Sequence, residues 1–324
     1  MKNFLSYQFD HEMPLFDMLT RQEPVSGPRT VALEFPAFSL AVKRRTLIGS
    51  FLRNSNENFI LLLETGQRYH HRLPPSRVAW SATDEDRFAS TSTSLRVWRV
   101  GEEKPTLKLY ANSKAGANVP MTSMSWNPIS GNRIATCAVD TTVSIWDIDR
   151  GKLETQLIAH DKPVFDLTYG NSHQFVSVSE DGSLRLFDTR DLDRSTILYE
   201  DSAPLLRVAW DAPNTNLIAT IAADSPDVLL FDVRKPGFLA GVVRCGLSCP
   251  NAIAWSSRGQ LAAGLSDGTA VVVQSTETIR TSKSVSKVHP ETILTPNQGE
   301  VTNVAWNQDG LVLSHTNSLS VNPV

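Results

Sequence analysis

Along most of the chain, apolar and polar residues alternate in short runs instead of recurring every three or four positions. Leu95-Arg96-Val97-Trp98, Val143-Ser144-Ile145-Trp146 and Leu184-Arg185-Leu186-Phe187 each follow this pattern. A period of two belongs to strands, because successive side chains point to opposite sides of a sheet. No segment keeps a 3.6-residue period over the roughly ten residues that a helix needs. Asp181-Gly182 and Asp267-Gly268 separate such runs, and Asp-Gly favours the tight turns of right-twisted hairpins. The pattern predicts an all-β chain.

The runs also recur. Aligning on an apolar-Ala-Trp triplet gives Trp80, Trp126, Trp210, Trp255 and Trp306, with Tyr169 filling the gap, at intervals of 46, 43, 41, 45 and 51 residues. A second series ends about half a unit downstream, at Trp98, Trp146, Phe187, Phe231 and Val273, and all seven tryptophans fall on one series or the other. A repeat of roughly 40–45 residues with four strands and a Trp-Asp closing the third is the signature of a WD-repeat propeller blade. Val139 to Asp147 ("VDTTVSIWD") is the best copy, and "EDGSLRLFD" sets Asp181 and Phe187 in the places of Asp140 and Trp146.

Counting units gives seven blades, over 37–66, 75–115, 120–160, 163–203, 204–247, 250–295 and 300–324. The last is too short for four strands. "RTVALEF" (Arg29 to Phe35) is expected to supply its outer strand, which closes the ring and removes an exposed edge. The expected fold is a seven-bladed WD40 β-propeller over 29–324, closed by an N-terminal strand and preceded by an apolar extension, residues 1–28. The first-strand tryptophans should be buried between blades. Ser275 to Glu291 reads as a polar surface loop within blade 6.

Composition narrows the function. The chain has 324 residues, 41% of them hydrophobic, and a net charge of −3. It can fill a large core, and neither nucleic acid nor a membrane surface is expected as a direct partner. The longest aliphatic run, Ile60 to Leu63, is far short of the roughly 20 residues of a membrane helix. Cys137, Cys245 and Cys249 form no CxxC, which points to a reducing compartment, cytoplasm and nucleus.

His160 precedes the first strand of blade 4, where it can bond a serine (Ser177 or Ser179) and the turn acid Asp181. A structural hairpin clasp is the expected role, and Asp140 and Trp146 hold the matching structural places in blade 3. A His–Asp pair activating a serine would also need an oxyanion site, which the sequence does not offer. His70-His71 cannot chelate one ion from adjacent strand positions and reads as a solvated loop or strand end. Cys245 and Cys249 read as small hydrophobes rather than zinc ligands. GxGxxG, P-loop, HExxH and GxSxG patterns are absent, so no enzyme, cofactor or metal is expected.

One exposed feature repeats. Phe187-Asp188-Thr189-Arg190 and Phe231-Asp232-Val233-Arg234 each follow a third strand on adjacent blades. Asp188, Arg190, Asp232 and Arg234 are therefore candidate partner-binding residues, since arginine's planar fork suits interfaces. The plainer reading has each arginine tied to its own aspartate at the turn.

Longer stretches carry a resemblance: "QLIAHDKPVFDL", "SVSEDGSLRLFDTRDLDRSTILYEDSAPLLRVAWD", "IATIAADSPDVLLFDVRKP" and "GEVTNVAW". Over roughly residues 29–324 the chain resembles the WD-repeat adaptor family of plant Transparent Testa Glabra and the animal DYRK-kinase-binding, cullin-4-associated WD proteins. The resemblance implies a scaffold without catalysis, and the chain is expected to be monomeric on its own. Its protein partners would be kinases, transcription regulators, or the adaptor of a cullin-4 ubiquitin ligase. The Phe-Asp-x-Arg stretches match the W-D-x-R motif of that ligase's substrate receptors, with Phe in place of Trp.

Overall fold

Seven sheets, antiparallel except for one parallel pair at the edge of blade 5 and each formed mainly from consecutive strands, stand side by side in a ring. The computed structural model describes residues 29–32, 37–43, 46–54, 57–62, 65–111, 119–211, 216–273, 286–288, 292–294, 299–307, 310–316 and 318–322. The apolar extension expected over residues 1–28 lies outside them. Among the described residues every helix or strand is a strand.

Blade 1 comprises Ala37–Lys43, Thr46–Asn54, Glu57–Leu62 and Arg68–His71, and blade 2 Arg77–Trp80, Arg87–Thr91, Leu95–Arg99 and Leu107–Leu109. Blade 3 holds Met121–Trp126, Arg133–Ala138, Thr142–Asp147 and Lys152–Ile158, and blade 4 Val164–Tyr169, Gln174–Ser179, Ser183–Asp188 and Asp191–Glu200. Blade 5 holds Leu205–Trp210, Leu217–Ala222, Asp227–Asp232 and Leu239–Arg244, and blade 6 Pro250–Trp255, Leu261–Leu265, Ala270–Val273 and Thr292–Leu294. Blade 7 takes Val301–Asn307, Gly310–His315 and Ser318–Asn322 from the C-terminal end of the chain. Its fourth strand is Arg29–Ala32, paired antiparallel from Arg29↔Val321 to Ala32↔Ser318.

The first strands touch one another in sequence, from Ala37–Lys43 through to Val301–Asn307, which returns to Ala37–Lys43. This closed inner ring makes the architecture a seven-bladed propeller. The ring has two faces: an entry face where first strands begin, and an exit face where they end. Third strands run the same way as first strands, so the turns after them lie on the exit face.

Blades adhere through apolar faces. Val176, Val178 and Leu184 of blade 4 pack with Val208, Trp210, Ile218 and Phe231 of blade 5. Gly170 exists for this contact, because a Cβ there would lie 2.2 Å from the Trp210 indole. Trp80, Trp126 and Trp210 are buried as expected, each in a cluster that holds another aromatic ring. Trp255 and Trp306 are only half-buried, because their clusters are otherwise aliphatic and give the indole less cover.

Polar links stitch the inner ring. The indole N–H of Trp126 donates to the Ala79 carbonyl of blade 2 at 3.2 Å. Trp255 and Trp306 donate likewise to Ala209 and Ala254 of the blades before them. The buried Asp166 carboxylate accepts the amides of Leu167 in its own blade and Val208 in the next, at 3.0 and 3.1 Å.

Two expectations need correction. Blade 1 does not stop at residue 66: Arg68–His71 is its fourth strand, with Tyr69 and His71 inward. Tyr69 packs edge-on against Phe88 and Trp98, 4.9 and 5.5 Å between centroids. The inward positions are a Tyr and a His, so the alternation was masked. Second, the polar stretch Ser275 to Glu291 is not all loop, since Ser286–Val288 is a strand on the edge of blade 5.

Candidate functional site

His160 sits where blade 3 hands over to blade 4 and is fully buried. Its Nδ1 lies 3.0 Å from Asp181 Oδ2, and its Nε2 lies 2.7 Å from Ser177 Oγ. Nδ1–H donating to the carboxylate and the Ser177 hydroxyl donating to Nε2 satisfies both nitrogens. The Ser183 hydroxyl adds a 2.7 Å bond to Asp181, and the Asp161 amide one of 3.1 Å. Burial pulls His160 down to about 4, with the Asp181 charge only partly offsetting it. Burial would raise Asp181, but the Ser183 and Asp161 bonds and His160 hold it at about 2. Gly182 completes the turn at φ +79°, where a Cβ would strike the Asp201 carbonyl at 1.9 Å. Ser177 is fully enclosed, so this constellation fastens a hairpin and presents no nucleophile.

In blade 4 Phe187 takes the third-strand aromatic place, stacked on Phe175 at 5.0 Å. Blade 3 keeps the indole: Trp146 donates to Thr136 Oγ1 at 2.9 Å, while Asp140 accepts the Thr142 hydroxyl at 2.7 Å. In blade 2 Trp98 donates to Ser90 at 2.8 Å, and Ser90 lies 3.0 Å from His71 Nε2. His71 is thus not solvated but a buried relay member, pulled down to about 3 by burial and by Arg96 and Lys108. Burial pushes the Cys137 and Cys245 thiols up to about 12, so neither supplies a thiolate nucleophile. Cys249 is half-buried.

The four candidate partner-binding residues lie on the exit face. Arg190 grips Asp188 through Nε at 2.9 Å and Nη2, and Arg234 grips Asp232 through Nε at 2.9 Å and Nη2 at 2.6 Å. Each aspartate also accepts its own arginine's amide at 3.0 Å. The Arg190 bonds hold Asp188 down to about 2. Burial works against Asp232, yet the Arg234 bonds keep it below its usual range. The arginine side chains remain 66% and 58% exposed. The motif is a turn clasp whose outer N–H groups face solvent on two neighbouring blades.

The entry face holds a site that the sequence reading missed. Six of the seven first strands shift register at their second residue: Phe38, Thr122, Phe165, Leu206, Asn251 and Thr302. A bulge adds an unpaired residue and re-aims its side chain. Phe165, Leu206, Asn251 and Thr302, from four consecutive blades, line one cavity of about 400 Å³ with Arg207 and Glu300. Asn251 Nδ2 donates to the Val301 carbonyl and Thr302 Oγ1 to the Ser314 carbonyl, so backbone bonds hold both polar members. The cavity offers apolar surface, neutral hydrogen-bonding groups and one charge of each sign. The signal was present: each of the four lies four positions before its first-series aromatic, Tyr169, Trp210, Trp255 or Trp306.

Comparison with known proteins places this geometry. The profile of the WD domain, G-beta repeat (WD40) matches residues 105–147 and 151–188. A DDB1- and CUL4-associated factor 7 homolog of Dictyostelium discoideum is 38% identical over 230 residues, 65% of this chain and 71% of that protein. The chain belongs to the WD40-repeat family. WD repeat-containing proteins of Schizosaccharomyces pombe and Saccharomyces cerevisiae are 37% and 33% identical to this WD40 chain, over 58% and 50% of its length. The matches span only 50% and 40% of those two yeast proteins. The solved structure of U3-55K shares the fold, with a TM-score of 0.75 over 92% of this chain and 98% of that one, at 13% identity.

Proposed function

We propose that this WD40 propeller is a non-catalytic scaffold that binds proteins on its faces. The observation that carries the reading is the entry-face cavity, where bulges on four consecutive blades turn Phe165, Leu206, Asn251 and Thr302 to one place. Apolar and neutral polar groups at a rigid mouth suit the anchoring of a side chain from another protein. The partners we propose are a DYRK-like protein kinase or transcription regulators, in cytoplasm and nucleus. A second reading, substrate receptor of a cullin-4 ligase, is favoured by the name of the Dictyostelium relative and by the paired Phe-Asp-x-Arg clasps. Affinity purification of the tagged chain with mass spectrometry separates them. Recovery of a kinase or regulator supports the first, and recovery of the ligase's adaptor the second. Recovery of no protein above background refutes both.

A further inference from the structure

Blade 5 carries a fifth strand that breaks the order of the fold. After the third strand of blade 6, Ala270–Val273, the chain does not turn straight back as in the other blades. Instead Ser286–Val288 lies along the outer edge of blade 5, parallel to Leu239–Arg244, with Gly241↔Ser286, Val242↔Lys287 and Val243↔Val288 paired. The chain then returns to form the fourth strand of blade 6, Thr292–Leu294.

This cover is partial. It pairs three of the six residues of Leu239–Arg244, in the parallel mode, the less stable per residue. Large apolar side chains remain bare at both ends of the edge: Phe238 is 71% exposed and Leu247 99% exposed. Charge adds to the mismatch. The edge is bordered by Arg234 and Lys235 at its exit-face end and by Arg244 at the other, all exposed, and the covering strand brings Lys287, not an acid, to the position opposite Val242. None of the three residue pairs sets an acidic residue on this cationic edge.

We propose that the outer edge of blade 5 is a docking edge for an extended acidic segment of a partner protein, and that Ser286–Val288 is the chain's own weak occupant of it. The incoming strand runs parallel to Leu239–Arg244. It pairs the backbone as β-augmentation does, sets acidic residues against Arg234, Lys235 and Arg244, and covers Phe238 and Leu247 with apolar ones. The edge is separate from the entry-face cavity. The inference rests on the scaffold reading only in naming a protein as ligand, and its test uses synthetic peptides, so each can fail alone.

Two peptides serve as probes: residues 281–291 of the chain, and the same peptide with Glu in place of Lys283 and Lys287. Fluorescence anisotropy reads their binding to the full chain and to a variant with residues 278–290 replaced by a Gly-Ser linker. The acidic peptide should bind the linker variant about tenfold more tightly than the native peptide does, and the full chain more weakly than the linker variant. Failure of the acidic peptide to bind a folded linker variant, or equal binding of the two peptides, overturns the proposal. Should the linker variant not fold, Lys287→Glu in the intact chain decides. Reversing that charge should slow hydrogen exchange at Gly241–Val243 about threefold or more, and unchanged or faster exchange overturns the proposal.

Discussion

His160 Nδ1 and Asp181 Oδ2 lie 3.0 Å apart, and the same carboxylate oxygen takes the Asp161 amide at 3.1 Å. The start of blade 4 is thereby tied to its own hairpin turn. Asp181→Ala leaves the buried imidazole N–H only the Ser183 hydroxyl, 3.0 Å away, and His160→Ala strands the Ser177 hydroxyl. Either should lower stability by about 1–3 kcal/mol, read as a lower urea midpoint. A midpoint unchanged in both variants would contradict the clasp.

The same histidine sets a pH dependence. His160 and His71 are bases held down to about 4 and about 3 in the folded chain, against about 6.5 unfolded. The unfolded state therefore takes up protons first. Stability is complete above pH 6.5, falls as pH drops through it, and levels off near the folded values. At pH 5 each histidine should withdraw on the order of 1–2 kcal/mol. Burial holds His315 down as well, so unfolding free energies at pH 7 and 5 check this, and His160→Gln should remove about a third to a half of the difference. An undiminished difference in that variant would assign the dependence elsewhere.

Gly170 and the Trp210 ring meet with no room for a methyl group. Gly170→Ala should cost about 1–3 kcal/mol through overpacking, and Trp210→Ala about 3–5 kcal/mol through the cavity it leaves. Denaturant unfolding measures both. Wild-type stability in either would remove Trp210 from the interface between blades 4 and 5.

Much of this architecture could be read from residues alone, for a physical reason. Indoles large enough to bridge two blades recur at the same place in five of the seven blades, so Trp80, Trp126, Trp210, Trp255 and Trp306 mark the period, and Arg29–Ala32 follows from a last blade short of one strand. His160 and Asp181 were legible as partners because a turn acid and a strand-entry histidine recur at fixed offsets. Other features left weaker traces. Tyr69 and His71 face inward without looking apolar, so their strand read as loop. Phe165 and Leu206 read as ordinary strand residues, because a bulge is a backbone event that alternation does not report. Ser286–Val288 pairs through its backbone, and no side-chain pattern announces that.

The exit-face clasps discriminate between the two proposed functions. Arg190→Ala/Arg234→Ala removes two exposed guanidinium groups, and Asp188 and Asp232 keep the amide bonds that form the turns. The melting temperature should stay nearly unchanged. Under the ligase reading the double variant loses the ligase adaptor in affinity purification and keeps any kinase. Full recovery of the adaptor would reduce the clasps to blade architecture.

The central claim is that the entry-face cavity anchors a protein partner. Its most direct test is the dissociation constant of the principal partner recovered by purification, measured for the wild type and for Phe165→Ser/Leu206→Asp. Both side chains are only half-buried, but Leu206 also packs against the core of blades 5 and 6, so the melting temperature of the variant is measured first to establish that it is folded. Loss of a central apolar anchor removes about 2 kcal/mol or more, roughly thirtyfold in affinity. The account predicts at least that loss, and an unchanged dissociation constant in a folded variant would contradict it.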